Sequence, residues 1–477
     1  MNIALVLLIL LVGAAVTYFS GNRLARITAL LFAVASAVFS IAIYFKYGGT
    51  TGLDYSVQWI SDPQIMFSLK ADGLSIAMLL LLTIMLPVIL LSSVTQEFRR
   101  EKLFYALVMF MAFAMAGSFL SSNALVYYIF WEMSLIPIYF IVILWGNGEM
   151  ENRRQAAMNF FMHTFAGSLF MLAAIIFMYT QAGSFQLDDF YAANLTTNEQ
   201  IWVFLGFFLA FAIKIPIFPF HTWQSDVYKR APAVGTMLLA GLMSKMGAYS
   251  ILRWQIPVVP EAAEILRPYV LILCITGVLY GAFVALQQDD IKRFLAFASL
   301  SHVGFVAAGA YALTFDGIQG CIILIVAHGI AIIGLFYAAE IIRTRTGKNK
   351  ISQMGGYMHK APKFGAAFFL LVLAAISMPI SFNFIGEFTI MLGLYAVNVW
   401  YVFFIGLSLI FGAYMFLRMF QQVMFGAESK DHFRELSVKE GFIFIYIVSI
   451  IIFFGINSGP VADLVRPAVE EIMVNLQ

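Results

Sequence analysis

Six ionisable residues stand in stretches otherwise apolar enough to cross a membrane. Lys214 lies in FAIKIPIFPFHTW, Glu132 in YYIFWEMSLIPIYF, Lys245 in LLAGLMSKMGAY, His302 in LAFASLSHVGF, His328 in LIVAHGIAIIG and Glu387 in FNFIGEF. An ammonium near a bilayer centre costs roughly 2.5–3.5 kcal/mol on insertion scales, and such groups mark ion or proton paths by default. Burial opposes the charged form of an amine or a carboxylate, and pairing favours it. A buried Glu132–Lys214 pair would therefore switch protonation when a third charge approaches; the static alternative is an ion pair that only fixes helix packing. Histidine titrates near neutral pH, which suits His302 and His328, between Lys245 and Glu387 in chain order, to a proton relay. The alternatives for them are hydrogen-bonded core and haem ligation, and nothing else in the chain resembles a haem pocket.

The elements that must hold these groups are transmembrane helices. Of 477 residues, 62% are hydrophobic and only 11% charged, far below the quarter or so of a soluble domain. Runs of about 17–25 apolar residues are long enough to span a bilayer. Fourteen such runs start near Ile3, Ile27, Leu74, Phe104, Ala124, Ala156, Ile201, Ala233, Pro268, Phe294, Gly317, Phe364, Trp400 and Gly441. The intervening loops leave no room for a soluble domain. The first run has no basic n-region and no small-residue cleavage site, which makes it a retained helix. Cys274 and Cys321 lie in apolar runs with no CxxC or Cys/His cluster, so an iron–sulfur or zinc site on this chain is not expected.

Twenty of the 28 lysines and arginines fall in alternate, odd-numbered loops, against five in the even loops and the C-terminal tail. The positive-inside rule then makes the odd loops cytoplasmic and puts both termini on the opposite, periplasmic side. Pro216 and Pro219 follow Lys214 directly, and Pro379 interrupts the run from Phe364 to about Gly393. Proline removes a backbone donor, so helices seven and twelve should both break. A broken helix at membrane depth survives only where protein or a wet cavity covers it. Lys214 to Glu387 and Lys245 to Arg418 are each 173 residues apart. That spacing suggests two five-helix repeats, spans 4–8 and 9–13, inverted because their offset is odd. The expected fold is an all-α polytopic membrane protein. Its divisions are 1–103 (helices 1–3), 104–255 (first repeat), 256–426 (second repeat) and 427–477 (helix 14 and tail).

Other polar residues carry plainer readings. His163 suits packing, and His221 suits a cap or a relay equally. Arg418 stays charged and so tunes a neighbour or pairs with a carboxylate. Asp289 and Asp290 read as a solvated boundary beside Lys292 and Arg293, with Asp290 or Asp226 as proton-uptake groups. Asp72-Gly73 reads as a turn and helix start.

FWEMSLIPIYF, FAIKIPIFPFHTW with the following AP and LLAGLMSKMGAY, QQDDIKRFLAFASLSHVGF, AHGIAIIGLFYAAEIIRTRTG and FNFIGEF follow one another in this chain. In that order they resemble the antiporter-like subunits of respiratory complex I, the proton-translocating NADH:quinone oxidoreductase, and their Mrp-antiporter relatives. The resemblance runs from span three to span thirteen. Glu387 stands where the L- and N-type branches and the Mrp D subunit usually carry lysine, which points to the M-type branch. His328-Gly329 with Phe336, the Arg343–Gly347 segment and Met354–Gly356 agree, as does an end soon after span fourteen with no long lateral helix. By position, the resemblance makes Glu132 and Lys214 the switch pair of a first half-channel and Lys245 the connecting lysine. It makes His302 and His328 the bridge and Glu387 the terminal group of a second half-channel. It places FMN, iron–sulfur clusters and quinone on partner subunits, with no cofactor on this chain. The implied partners are other membrane-arm subunits, especially L- and N-type neighbours, within a bacterial inner membrane, and no nucleic acid. An Mrp-type sodium/proton antiporter subunit and a purely structural membrane subunit are the rival functions. The chain departs from the family pattern at Gln224-Ser225 and Arg230. It departs again in the span-twelve break, where Ser377 and Ile380–Phe382 replace glycine-rich sequence.

Overall fold

The computed structural model of the protein describes residues 2–47, 52–62, 64–93, 98–427 and 432–476; Lys430, one of the odd-loop basic residues, lies outside them. Two compact units are formed. The first takes Met1–Ile215, Leu242–Pro268 and Asp463–Gln477, and the second takes Pro216–Gly241 and Tyr269–Ala462.

Chain order begins with α1 (Ala4–Phe19) and α2 (Asn22–Tyr47), then a hairpin of β1 (Leu53–Ile60) and β2 (Ile65–Ala71). Next come α3 (Gly73–Ser92), α4 (Glu101–Leu120), α5 (Ala124–Met133), α6 (Leu135–Trp145), α7 (Met150–Ala182), the short α8 (Leu187–Tyr191) and α9 (Thr197–Lys214). After α10 (Gln224–Arg230), α11 (Ala233–Leu238) runs through a π-helical turn, Leu239–Met243, into α12 (Ser244–Ser250) and a second π turn, Ile251–Gln255. The rest is α13 (Pro260–Leu286), α14 (Ile291–Tyr311), α15 (Phe315–Thr346), α16 (Tyr357–Lys360), α17 (Pro362–Ala375), α18 (Phe382–Val397), α19 (Val399–Phe425), α20 (Val438–Ile456) and α21 (Gly459–Asn475).

The fold is a mostly helical, multi-pass membrane protein. Among the described residues ten helices are long and apolar enough to cross a membrane, counting α5 and α6 together. The expected fourteen runs exceed that number because several are short or interrupted: α1, α17 and α18 have 16, 14 and 16 residues. The all-α expectation needs one correction. Residues of β1 and β2 pair as an antiparallel hairpin from Leu53↔Ala71 to Ile60↔Ile65, because LDYSVQWI and IMFSLKA carry strand-favouring β-branched and aromatic residues on either side of the turn at Ser61-Asp62.

Proline places the breaks. Pro137 cannot donate to the Met133 carbonyl one turn back, so the fifth span parts into α5 and α6 at Ser134, whose Oγ turns back onto the Trp131 carbonyl at 2.7 Å. α9 stops at Lys214, two residues before Pro216. α17 stops at Ala375 and α18 restarts at Phe382, around Pro379 as the sequence suggests.

In the first unit the start of α3 is tied to the turn after α12. Asp72 caps α3 by accepting from the Ser75 N–H at 3.0 Å, and Arg253 Nη2 donates to both Asp72 carboxylate oxygens at 2.5–2.6 Å. Both side chains are about 6% exposed, so the pair is held away from solvent. Burial alone would raise the Asp72 carboxyl, but the Arg253 guanidinium and the Ser75 N–H outweigh it and hold the carboxyl below its usual value. The sequence reading of Asp72 as a helix start is right and incomplete: it missed the buried partner 181 residues later.

In the second unit α15 is buried along its apolar length, as a helix hydrophobic on all sides must be. α18 lies against it through glycine. A Cβ at Gly386 would sit 2.7 Å from Leu324 Cβ and 2.8 Å from its Cα and N. Close approach through small residues is how membrane helices gain packing without a hydrophobic driving force.

Two outcomes follow from these contacts. Gly386→Ala should lower the thermal stability of the purified assembly by about 1–3 kcal/mol, since backbone must shift to admit a methyl group. Asp72→Ala should cost about 3–5 kcal/mol by stranding a buried guanidinium, and an Asp72→Ala/Arg253→Leu double variant should recover most of that loss. The contribution of the Asp72 charge should fade as pH falls, not as it rises, because its folded carboxyl titrates below its unfolded value. Unfolding followed across pH checks both parts.

Candidate functional site

In the first unit, Lys214 is the last residue of α9 and is buried, 1% exposed. The final carbonyls of a helix and the negative end of its dipole favour a cation there. Lys214 Nζ donates to Ser134 Oγ at 3.2 Å and lies 4.6 Å from the centre of the Trp131 ring. Both partners sit at the α5–α6 break, so the kink set by Pro137 presents the ammonium with a hydroxyl and an aromatic face. Glu132 lies between them in sequence. Its carboxylate is within electrostatic reach of Lys214 and beside Ser168 of α7, and its Oε1 is buried with no hydrogen-bond partner among the described residues. The pair anticipated from sequence is thus adjacent without contact: Lys214 donates to Ser134, not to Glu132.

Lys245 is also in the first unit, 3% exposed on α12 between the two π-helical turns, with Nζ 3.2 Å from Ser244 Oγ. π turns insert an extra residue per turn and recur at functional positions. Gly247, two residues on, lets α12 close onto the end of α9. A Cβ there would lie 2.7 Å from Ile215 N and 3.0 Å from the Phe211 carbonyl.

In the second unit, α14, α15 and α18 bring His302, His328 and Glu387 together. His302 Nδ1 and Glu387 Oε1 are 2.9 Å apart, and the His302 and His328 rings stack with centroids 5.2 Å apart. His328 Nε2 is 3.0 Å from Ser299 Oγ, one turn before His302 on α14. His302 Nε2 and Glu387 Oε2, the far sides of the bonded pair, are buried with no protein hydrogen-bond partner among the described residues. So are both amide atoms of Asn383, one turn before Glu387 on α18. Beside the pair is a cavity of about 10 Å³ lined by Ser301, His302, Glu387, Ser408 and Met415, room for about one water.

The remaining polar residues fall elsewhere. Asp290 caps α14 through the Lys292 and Arg293 N–H groups and pairs with Lys229 at 3.4 Å, while Asp226 pairs with Arg293. These carboxylates therefore stand in ion pairs. Lys292, expected in a solvated boundary, is buried and donates to the Ala231 carbonyl at 2.9 Å. His221 packs against Phe218 and Tyr280, and His163 lies exposed on α7 over its own Asn159 carbonyl. Arg418 is exposed and reaches Tyr414 of its own helix, not a carboxylate.

Ser134, Trp131, Ser299 and Asn383 were missed in reading the sequence. Each lies within four residues of a group that was found, at the spacing of one helical turn or less, and that spacing was the available signal.

Comparison with known proteins shows the family. The family described as NADH:quinone oxidoreductase/Mrp antiporter, TM, matches residues 121–412. NADH-quinone oxidoreductase subunit M of Rickettsia prowazekii is 32% identical over 95% of this chain and 93% of its own. NADH-ubiquinone oxidoreductase chain 4 of Arabidopsis thaliana is 29% identical over 99% and 97%. A chain of respiratory complex I from Thermus thermophilus with bound NADH superposes with a TM-score of 0.92 at 29% identity, over all of both chains. A chain of the Mrp complex from Dietzia sp. matches with a TM-score of 0.88 at 17% identity, over 99% and 98%, and shows the shared fold alone. Glu132, Lys214, Lys245, His302, His328 and Glu387 all fall within the matched stretch, and the chain belongs to the NADH:quinone oxidoreductase/Mrp antiporter membrane family.

Proposed function

We propose that this chain is the M-type proton-translocating membrane subunit of an NADH:quinone oxidoreductase, driven by quinone reduction in partner subunits. The observation that carries the proposal is the contact of His302 Nδ1 with the buried Glu387 carboxylate at 2.9 Å. A proton acceptor and a proton carrier share one bond there, and both residues line a water-sized cavity.

Lys214 and Glu132 form the first half-channel. At an effective dielectric constant near 20, two unit charges about 5 Å apart interact by about 3 kcal/mol, two orders of magnitude in a proton equilibrium. A charge arriving from a neighbouring subunit can therefore load or empty Lys214 while Ser134 and the Trp131 face hold the amine in place. Lys245 connects the two half-channels. His302, His328 and Glu387 form the second half-channel, where the imidazole passes its proton between Nδ1 and Nε2. The wider architecture of the reading is fourteen spans, with inverted repeats over 104–255 and 256–426. Both termini lie on the periplasmic face, and L- and N-type neighbours flank the chain. FMN, iron–sulfur clusters and quinone belong to other subunits. The rival, sodium/proton antiport, is less favoured, because Glu387 replaces the lysine usual in Mrp members.

Lys214→Ala, Glu132→Ala and Glu387→Gln should each leave the complex assembled and lower proton pumping at least about tenfold, the effect of removing about 1.4 kcal/mol or more of driving interaction. Pumping is read in inverted membrane vesicles during NADH oxidation. Normal pumping in all three variants would sink the proposal, and sodium-gradient-driven transport by the isolated chain in liposomes would favour the antiporter.

A further inference from the structure

Two cavities in the second unit meet at one side chain. The inner is the water-sized space against His302 and Glu387. The outer has a volume of about 200 Å³ and is lined by Gln287, Gln288, Asp289, Ser352 and Arg418 among others. Met415 of α19, 2% exposed, lines both.

The outer cavity has the chemistry of a wet vestibule. Three amides (Gln422 is the third), a carboxylate, a hydroxyl and a guanidinium are among the groups that line it, and its volume accommodates several waters. Asp289 is locked in place, accepting from the Ser352 N–H and Oγ at 2.8 Å each. The vestibule is lined by the stretch where α13 passes into α14 and by Ile351-Ser352, segments whose neighbours in the chain include Lys292, Arg293 and Lys350. By the positive-inside bias this is the cytoplasmic end.

The packing around Met415 is apolar and uneven in stiffness. Phe416 stands 6.4 Å from His302 and 5.3 Å from Phe294, ring to ring, and Phe294 also lines the vestibule. Those rings are held by one another. Met415 beside them is unbranched, with three rotatable bonds and no strong hydrogen-bonding group, the kind of side chain that fills a gap and leaves it readily.

We infer that protons reach the His302–Glu387 pair from the cytoplasmic side through this vestibule, with the Met415 side chain as the gate. The inference rests on the translocation proposed above. When Met415 swings aside, vestibule water joins the inner site, and a hydrated proton passes to Glu387 Oε2 or His302 Nε2, the two buried atoms with no protein hydrogen-bond partner among the described residues. When it returns, the pair is sealed from that side. No electron moves; one O–H bond breaks and one O–H or N–H bond forms. Arg418, which finds no carboxylate, acquires a place in this scheme as a fixed positive charge on the vestibule wall that disfavours metal cations.

The test uses the assembled complex in membrane vesicles with Ser408→Cys, or Ser301→Cys as a second reporter, in the inner cavity. A small positively charged methanethiosulfonate is added to inside-out or right-side-out vesicles. Adding Met415→Ala should speed labelling about tenfold, the factor for about 1.4 kcal/mol of easier opening, and only when the reagent faces the cytoplasmic surface. Met415→Trp should slow labelling and lower proton pumping together. Labelling at either reporter that ignores Met415→Ala, or that is faster from the other face, overturns the inference. Pumping by Glu387→Gln is scored separately: if it is normal, the translocation reading fails whatever the labelling shows.

Discussion

Hydrocarbon offers no hydrogen bonds, so each polar group this chain holds at membrane depth must be answered by the protein itself. That constraint organises the molecule. Wherever a helix is broken, a carbonyl or N–H is freed, and the same gap is where a side-chain charge finds partners. Lys214 ends α9, and its ammonium is met by the Ser134 hydroxyl and Trp131 face released at the α5–α6 break. Glu387 sits little more than a turn into α18, just after the Pro379 break, and is met by His302. Breaks and charges are one feature seen from backbone and side chain.

The charge on Lys214 suits the helix end it occupies. A helix C-terminus carries about half a negative charge and an N-terminus about half a positive one, with an effect that fades within the first or last turn. Lys214 is the final residue of α9, where a cation is favoured, whereas Glu387, the sixth residue of α18, stands beyond the first turn and takes its setting from His302 instead. The two residues, 173 positions apart, thus carry opposite signs in different local settings.

Helical membrane character, the breaks after Lys214 and at Pro379, and the six ionisable groups within apolar spans were legible in the sequence, because long apolar runs, proline and charge act locally. What escaped depends on distant partners or on backbone registry. Asp72 and Arg253 look like two ordinary loop residues until the fold joins them. The π turns around Lys245, which flank the close packing of α12 on α9 at Gly247, leave no compositional mark. The span-twelve break is another case. Glycine is expected where the chain turns left-handed, yet Ser377 and Ile380 hold φ of 53° and 90°, conformations that tax a β-branched residue in particular. Neighbouring structure imposes them: α20 lies so close that a Cβ at Gly455 would meet the Ile380 carbonyl oxygen at 1.9 Å.

That packing bears on how the second site can work. A break pressed this closely by α20 is a poor hinge, since the Ile380 carbonyl lies directly against Gly455. Gly386 adds to the rigidity by seating α18 against the backbone of α15. Glu387 is therefore held still, and His302, on the equally buried α14, is held with it. Movement at this site must come from small things, namely protons, waters and an unbranched side chain, instead of from the helices. A relay with fixed donors and a soft wall needs no helix bending, which reconciles a glycine-poor break with a translocating role.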